Sequence, residues 1–217
     1  MLMTNVGSQV GRHFMYDASG TITSGGTAQL IVPEQRYGRS YFLFENISDT
    51  DMYLEIGFAR ATATLTSGVV SSIAVANAGF NYNTAPTVKF YGGGDPNNAA
   101  AFTPGIPGYP SPQGVVNSKP ARPARAHCVM TGSAGNLSIS SIVVDDGGAG
   151  YINAPYVFLE NHLSDPMGCA VPSATSGILV KGALGASYTN NGVVCTTDPI
   201  AVYCASSSKA YTFKYTL

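Results

Sequence analysis

The sequence has few charged residues, and this shortage limits the partners that it can bind by electrostatics. Charged side chains make up 11% of the 217 residues and the formal net charge is −1, whereas globular proteins average about 25% charged residues. A strongly basic face for nucleic acid is therefore not expected, and neither is electrostatic docking to an anionic membrane. The shortage does not indicate disorder, because 45% of the residues are hydrophobic.

Long apolar runs and paired cysteines are also missing. No segment approaches the roughly 18 apolar residues of a membrane span. The first residues lack the basic end and apolar run of a signal peptide, so we expect folding in a cytoplasm. Four cysteines occur without a Cys-x-x-Cys pair: Cys128, Cys169, Cys195 and Cys204. This spacing favours reduced thiols over a zinc or redox site.

Helical periodicity is missing too, and two-residue alternation takes its place. Apolar residues alternate with others in "YFLFEN", "DMYLEIG" and "YTFKYTL", which are residues 41–46, 51–57 and 211–217. Between the first two, "NISDTD" has the composition of a tight turn, so residues 41–57 predict a β-hairpin. The pattern predicts an all-β protein.

An internal repeat is the most informative feature that is present. Residues 61–90 and 124–159 share the motif Gly-x-x-Tyr-x-x-Ala-Pro, which begins at Gly79 in the first copy and at Gly148 in the second. Upstream of the motif, we align Ala61 with Ala124 and Ala63 with Ala126. This alignment leaves six extra residues in the second copy, which we assign to a longer Gly-rich turn.

The motif predicts a β-corner that is used twice. Gly79 and Gly148 would supply a positive φ at the bend. Tyr82 and Tyr151 would lay their rings across the bend and reach a backbone group with the hydroxyl. The proline would then begin the next strand. A ligand-binding role for the two tyrosines is the alternative, and we favour the structural role.

The repeats lie between two strand-rich chain ends. We predict that residues 1–58 and 176–217 together form a β-sandwich of the jelly-roll kind, with residues 59–175 inserted at a loop as a two-repeat β domain, called the cassette here. A Pro-rich arm at residues 92–125 separates the two repeats and predicts an extended segment that could reach a neighbouring subunit. Its basic end holds Lys119, Arg122 and Arg125.

Spacings typical of catalysis are absent from the sequence. The histidines are isolated from one another: His13, His127 and His162. Two acidic pairs could bind Ca²⁺ but match no EF-hand loop, so turn roles are favoured: Asp49 with Asp51, and Asp145 with Asp146. A distant carboxylate pair for glycoside cleavage stays open. We expect no enzyme activity, and no catalytic, cofactor-binding or metal-binding residues.

The two chain ends resemble virion proteins of tailed bacteriophages. Residues 39–57, "RSYFLFENISDTDMYLEIG", are similar to a strand, an N-x-S-D-T-D turn and a second strand ending in Gly in those chains. Residues 185–215 are similar to their closing segment. The family comprises small β-sandwich or jelly-roll head decoration (cement) proteins and related head or tail accessory proteins. The Gly-x-x-Tyr-x-x-Ala-Pro repeat is similar to modules in phage tail proteins and bacterial surface proteins, and the inserted cassette departs from the simpler family members.

The resemblance implies a non-enzymatic virion protein that binds the capsid surface and stabilises the head shell. The implied partners are the major capsid protein and neighbouring copies of this chain, as a homo-oligomer on a particle assembled in the host bacterial cytoplasm, with no nucleic acid or membrane partner. Two alternatives stay open: a tail-associated or receptor-binding accessory protein, and a bacterial carbohydrate-binding or adhesin module.

Overall fold

The computed structural model describes residues 15–36, 38–39, 41–94, 122–133, 135–182, 186–190 and 197–216. These residues form fifteen strands and contain no helix, which confirms the all-β prediction. In chain order the strands are β1 (Met15–Asp17), β2 (Gly20–Thr21), β3 (Ala28–Val32), β4 (Tyr41–Asn46), β5 (Met52–Ile56), β6 (Arg60–Thr66), β7 (Val69–Asn77), β8 (Thr87–Tyr91), β9 (Arg125–Ser133), β10 (Asn136–Asp146), β11 (Tyr156–Glu160), β12 (Ile178–Val180), β13 (Ala186–Asn190), β14 (Ile200–Cys204) and β15 (Ala210–Thr216).

The two chain ends build two antiparallel sheets with one core between them. The first sheet has the order β1-β15-β4-β13, with β2 also paired to β15, and the second has the order β12-β5-β14-β3. The buried side chains that pack together come from both sheets: Ile22, Val32, Phe42, Phe44, Met52, Leu54, Val180, Ile200, Val202, Cys204, Tyr211 and Phe213. Each large apolar side chain buried in this way contributes about 1.5–3 kcal/mol to folding. The architecture is β-sandwich-like, and neither chain end could build this core alone.

The prediction of a β-hairpin over residues 41–57 is wrong. β4 pairs with β13 and β15, whereas β5 pairs with β12 and β14. The turn at residues 47–51 therefore carries the chain from one sheet to the other. Alternation puts one side of each strand against the core in either arrangement, so the pattern cannot tell strands that share a sheet from strands that face each other. From β2 to β5 and from β12 to β15, successive strands alternate between the two sheets.

Asn46 fixes the crossing between β4 and β5. Its side chain is fully buried, and its Nδ2 donates to the carbonyl oxygen of Thr50 at 2.8 Å and of Val180 at 3.1 Å. Its Oδ1 accepts from the backbone N–H of Ser48 at 3.0 Å. Because Val180 belongs to the second sheet, one amide closes the turn and ties it to both sheets.

The cassette contains a six-stranded sheet with two-fold pseudosymmetry. The strand order is β10-β9-β8-β11-β6-β7. In the two repeats β6 corresponds to β9, β7 to β10 and β8 to β11. Replacing each strand by its counterpart therefore gives the same order read from the opposite edge. The pseudo-axis passes between Lys89 and Phe158, which pair at the centre of β8 and β11. The two edge strands, β7 and β10, contact each other, so the sheet curls around a second buried core.

Strand pairing corrects the alignment of the two repeats. Ala61 pairs with Val75, and Ala126 pairs with Val144, so Ala61 is equivalent to Ala126 rather than to Ala124. The earlier alignment is shifted by two residues because alternating alanines match equally well in either register.

The extra residues of the second repeat lie in its strands and not in its turn. β6 and β7 have 7 and 9 residues, whereas β9 and β10 have 9 and 11. The second hairpin is therefore four residues longer instead of six. Both hairpins carry a bulge at a serine, Ser71 or Ser140, whose hydroxyl donates to a carbonyl oxygen of the opposite strand at 3.2 Å or 3.0 Å.

The chain leaves and rejoins the sandwich at adjacent points. The N–H of Ala170 donates to the carbonyl oxygen of Gly57 at 2.9 Å, and the flanking strands β5 and β12 pair directly with each other. The domain boundaries at 58/59 and 175/176 stay a prediction. Most of the predicted arm at 92–125 lies outside the described residues, which stop at 94 and resume at 122.

Removing the cassette is expected to leave a folded sandwich. Replacing residues 58–169 with a short Gly/Ser linker should preserve β structure by far-UV circular dichroism and a cooperative thermal transition, because the linker only has to join Gly57 and Ala170, whose backbone groups are already hydrogen-bonded. An unfolded product would contradict the idea that the sandwich core is self-sufficient.

Candidate interaction surface

The two corners are built as the sequence predicts. Gly79 and Gly148 have φ of 62° and 70°, and Tyr82 and Tyr151 are only 1% and 4% exposed. A Cβ atom on Gly79 would lie 2.7 Å from Cε2 of Tyr82, and one on Gly148 would lie 2.9 Å from Cε2 of Tyr151. The rings therefore lie against the bends, which confirms the structural role. Their burial rules out the alternative of an exposed tyrosine platform for a ligand.

The tyrosine hydroxyls face the first strands of their own repeats. The Tyr151 hydroxyl accepts from the N–H of Ala124 at 2.8 Å. The Tyr82 hydroxyl faces the equivalent N–H of Ala59, although in a geometry too poor to count as a full hydrogen bond. Burial raises the pKa of both phenols, and the facing amide acts in the opposite direction. Both groups therefore stay protonated at neutral pH.

Each corner is completed by the other repeat. The Tyr82 N–H donates to the Leu137 carbonyl oxygen at 3.1 Å, and the Leu137 N–H donates back at 2.9 Å. On the other side of the pseudo-axis, the Tyr151 N–H donates to the Gly68 carbonyl oxygen at 3.1 Å. These bonds join the edge strands β7 and β10 through the corners, so neither repeat satisfies its corner alone.

Asp165 holds the first corner in place through hydrogen bonds, and we call this arrangement the Asp165 clamp. No pattern in the sequence predicted this role. Asp165 is 3% exposed, and its carboxylate accepts from the N–H groups of Asn83 and Thr84 at 2.8 and 2.7 Å and from their side chains at 2.8 and 3.0 Å. Burial would raise the pKa of Asp165, but the bonds from Asn83 and Thr84 outweigh it and lower the pKa. In the second corner the equivalent N–H groups, of Ile152 and Asn153, donate instead to the carbonyl oxygen of Gly93.

The first acidic pair from the sequence lies in the turn after β4, on the sandwich surface. Asp49 accepts from Lys209 Nζ at 2.6 Å, which lowers the pKa of Asp49. Asp51 accepts from the Gly182 N–H at 2.7 Å, and this bond lowers the pKa of Asp51. These contacts are those of turn residues and surface ion pairs.

The second acidic pair ends β10. Asp145 lies 2.8 Å from Nδ1 of His127, and Asp146 pairs with Arg122 and accepts from the Gly148 N–H. Among the described residues no group of three or more His, Cys, Asp and Glu is placed to hold a metal ion.

The remaining sequence candidates do not gather into one site. Cys128, Cys169 and Cys204 are buried free thiols. Burial raises the pKa of Cys128 to about 11, which makes it a poor nucleophile. His162 is exposed and bonded to Ser164. The other candidates, His13, Lys119 and Cys195, lie outside the described residues.

An outward-facing row of apolar side chains crosses the second sheet of the sandwich. Register places Leu179, Tyr53, Tyr203 and Ala28 side by side on β12, β5, β14 and β3. The rings of Tyr53 and Tyr203 are 6.2 Å apart, both are partly exposed, and Leu179 is 44% exposed. We call this row the tyrosine face.

The neighbouring row of the same sheet lies closer to the cassette and is covered. Glu55 is 6% exposed and Ala201 is fully buried, and Arg60 of the cassette bonds the Glu55 carboxylate at 2.6 Å. The tyrosine face is therefore the part of this sheet that is left for another molecule. Partly exposed aromatic side chains such as Tyr53 and Tyr203 are enriched at the centre of protein interfaces.

Comparisons of the chain with protein-family models, with curated proteins and with solved structures found no match. The described part of the chain also contains no helix with the length and hydrophobicity needed to cross a membrane.

Truncating the corner tyrosines tests their structural role. Tyr82→Ala and Tyr151→Ala should each lower the free energy of unfolding by about 3–5 kcal/mol, as expected when a buried ring is removed. Tyr151→Phe should cost only about 0.5–1.5 kcal/mol, because it loses one hydrogen bond. Tyr16→Ala, at a 42% exposed ring, is the control. Unchanged urea unfolding midpoints for both alanine variants would refute the structural role.

The Asp165 clamp predicts a dependence on acid. Because its pKa is lowered from the ordinary value of 3.8, its contribution to stability is complete above that value and is lost as the pH falls through the folded-state pKa. Asp165→Asn should destabilise the protein by about 2–3 kcal/mol at neutral pH and flatten the loss of stability below about pH 4. The control is Asp145→Asn at an exposed carboxylate. An unchanged acid transition in Asp165→Asn would contradict the clamp.

Proposed function

We propose that the protein is a non-enzymatic structural protein of a tailed-phage virion that binds and stabilises the head shell as a decoration protein. The partners in this proposal are the major capsid protein and neighbouring copies of this chain. The protein would act on the capsid surface by bridging subunits, and no catalytic residue, metal or cofactor takes part.

The strand order of the sandwich is the observation that carries the proposal. In the first sheet, β1 and β2 both pair with the outer side of β15, followed by β4 and β13, and the second sheet has the order β3-β14-β5-β12. From β2 onward the chain visits the two sheets alternately. With β1 and β2 counted as one edge strand, this order supports a jelly roll with the cassette between its fourth and fifth strands, β5 and β12. Viral capsid proteins and lectins both use jelly rolls. Fold alone does not determine function, so the resemblance of both chain ends to phage decoration proteins selects the virion role.

In this proposal, the tyrosine face is the surface that contacts the capsid shell. Its central residues, Tyr53 and Tyr203, are rigid aromatic side chains on paired central strands, which hold them in place at little entropic cost. Such anchors usually dominate the energy of an interface. The low charge of the chain fits a contact that relies on apolar burial and backbone pairing rather than on ion pairs. Modest contacts of this kind become strong when symmetry repeats them over a shell.

Adding the protein back to bare particles tests the proposal. Phage heads made without this protein should lose their genome at a lower temperature than complete heads, and wild-type protein should restore the difference. Tyr203→Lys should bind the heads at least about 30-fold more weakly, as for a central aromatic residue worth 2 kcal/mol or more. Thr212→Lys places the same charge on a central strand of the other sheet and should restore heat tolerance fully.

Equal heat tolerance with and without the protein would contradict the decoration role. Binding of the protein only at the tail would favour the alternative of a tail accessory protein. Full rescue by Tyr203→Lys would keep the decoration role and remove the tyrosine face from it.

A further inference from the structure

Hydrogen bonds and one aromatic contact join the sandwich to the cassette. Besides the bond between Ala170 and Gly57, the N–H of Glu34 donates to the carbonyl oxygen of Pro166 at 3.1 Å. The rings of Phe58 and Phe158 meet edge to face at 5.8 Å. The side chain of Glu34, just after β3, accepts from Nδ2 of Asn161, just after β11, at 3.2 Å. We call this contact the junction.

Charged groups from several elements converge on the junction, and most have a charged partner. Glu55 pairs with Arg60 at 2.6 Å and Glu160 pairs with Lys89 at 2.5 Å. The fully buried Arg39 donates to the carbonyl oxygen of Asp198. Burial lowers the pKa of Arg39 to about 10, so it keeps its charge at neutral pH.

Glu34 differs from these carboxylates because its hydrogen-bond donor is a neutral amide. It is partly buried, and the carboxylates of Asp198 and Glu160 face it from the residues before β14 and at the end of β11. Burial raises the pKa of Glu34, the bond from Asn161 opposes the rise, and Asp198 and Glu160 add to it.

Asn161 bonds the Glu34 carboxylate and has an amide oxygen of its own that is unpaired among the described residues. Its side chain is 8% exposed, and its Nδ2 also donates to the carbonyl oxygen of Gly168 at 2.9 Å. Its Oδ1 is buried and accepts no hydrogen bond from any described residue. A buried amide oxygen without a donor is costly. A protonated carboxyl on Glu34 is a hydrogen-bond donor beside the same amide, and it no longer repels Asp198 and Glu160.

We propose that Glu34 is a proton-operated latch between the sandwich and the cassette: uptake of one proton tightens the junction, and its loss loosens the junction. A carboxyl that binds its proton more tightly in the folded state stabilises the fold most at low pH, and this contribution is lost as the pH rises through the folded-state value. The latch therefore has the opposite sign to the Asp165 clamp. The contribution of Asp165 is lost towards acid, and the contribution of Glu34 is lost towards neutral pH.

Thermal unfolding of the full chain at two pH values tests the latch. Between about pH 7.5 and about pH 5, the Tm of the wild type should rise, because the folded state takes up the proton of Glu34 at a higher pH than the unfolded chain does. Glu34→Gln, which mimics the protonated side chain, should remove this rise and melt at about pH 7.5 near the wild-type Tm at about pH 5. Glu45→Gln, at a partly buried carboxylate on the outer side of β4, should keep the wild-type rise.

If Glu34→Gln does not fold, a measurement on the wild-type protein still tests the latch. Carbon-detected NMR titration of the wild type should give Glu34 a midpoint above the ordinary 4.5. A midpoint at or below that value would overturn the proposal. So would an undiminished rise of Tm in Glu34→Gln.

Discussion

In the intact chain, the reciprocal bonding of the two corners is the constraint on which the closure of the cassette, and with it the return of the chain to the sandwich, depends. Tyr82 bonds Leu137 and Tyr151 bonds Gly68, so the cassette closes only when both repeats are present. The first corner also holds the chain after β11, because Phe80 and Cys169 exchange two backbone bonds at 2.8 and 3.2 Å. The next residue, Ala170, bonds Gly57, and this returns the chain to within one strand spacing of the place where it left.

Because the chain comes back beside Gly57 after the cassette, β12 can pair with β5 and complete the second sheet of the sandwich. β5 and β12 are neighbours in the second sheet, although the whole cassette separates them in sequence. An insertion between two paired strands is tolerated only if its ends lie close together. The cassette is a folded unit, and the bond between Ala170 and Gly57 holds its two ends close together. The contacts that bring these ends together therefore also fix the orientation of the cassette.

Short-range sequence patterns predicted strands and backbone conformation well. They failed for strand pairing and side-chain contacts, which depend on residues far apart in the sequence. Alternation predicted strands, and the glycines at 79 and 148 predicted positive φ, because both depend on a few neighbouring residues. The supposed hairpin at 41–57 failed because the partners of β4 and β5 lie near the other end of the chain. Asp165 carried no sequence signal, since its partners Asn83 and Thr84 meet it only in the fold. The tyrosine face had a weak signal that was missed: Tyr53 lies on the side of "DMYLEIG" opposite to Met52, Leu54 and Ile56.

The location of the protein on virus particles tests the central claim most directly. Cryo-electron microscopy of purified particles of a phage that encodes this chain should show it in many copies on the outer surface of the head, following the icosahedral lattice, with the tyrosine face toward the major capsid protein. Density for the chain at the tail alone, or particles that lack it altogether, would contradict the account.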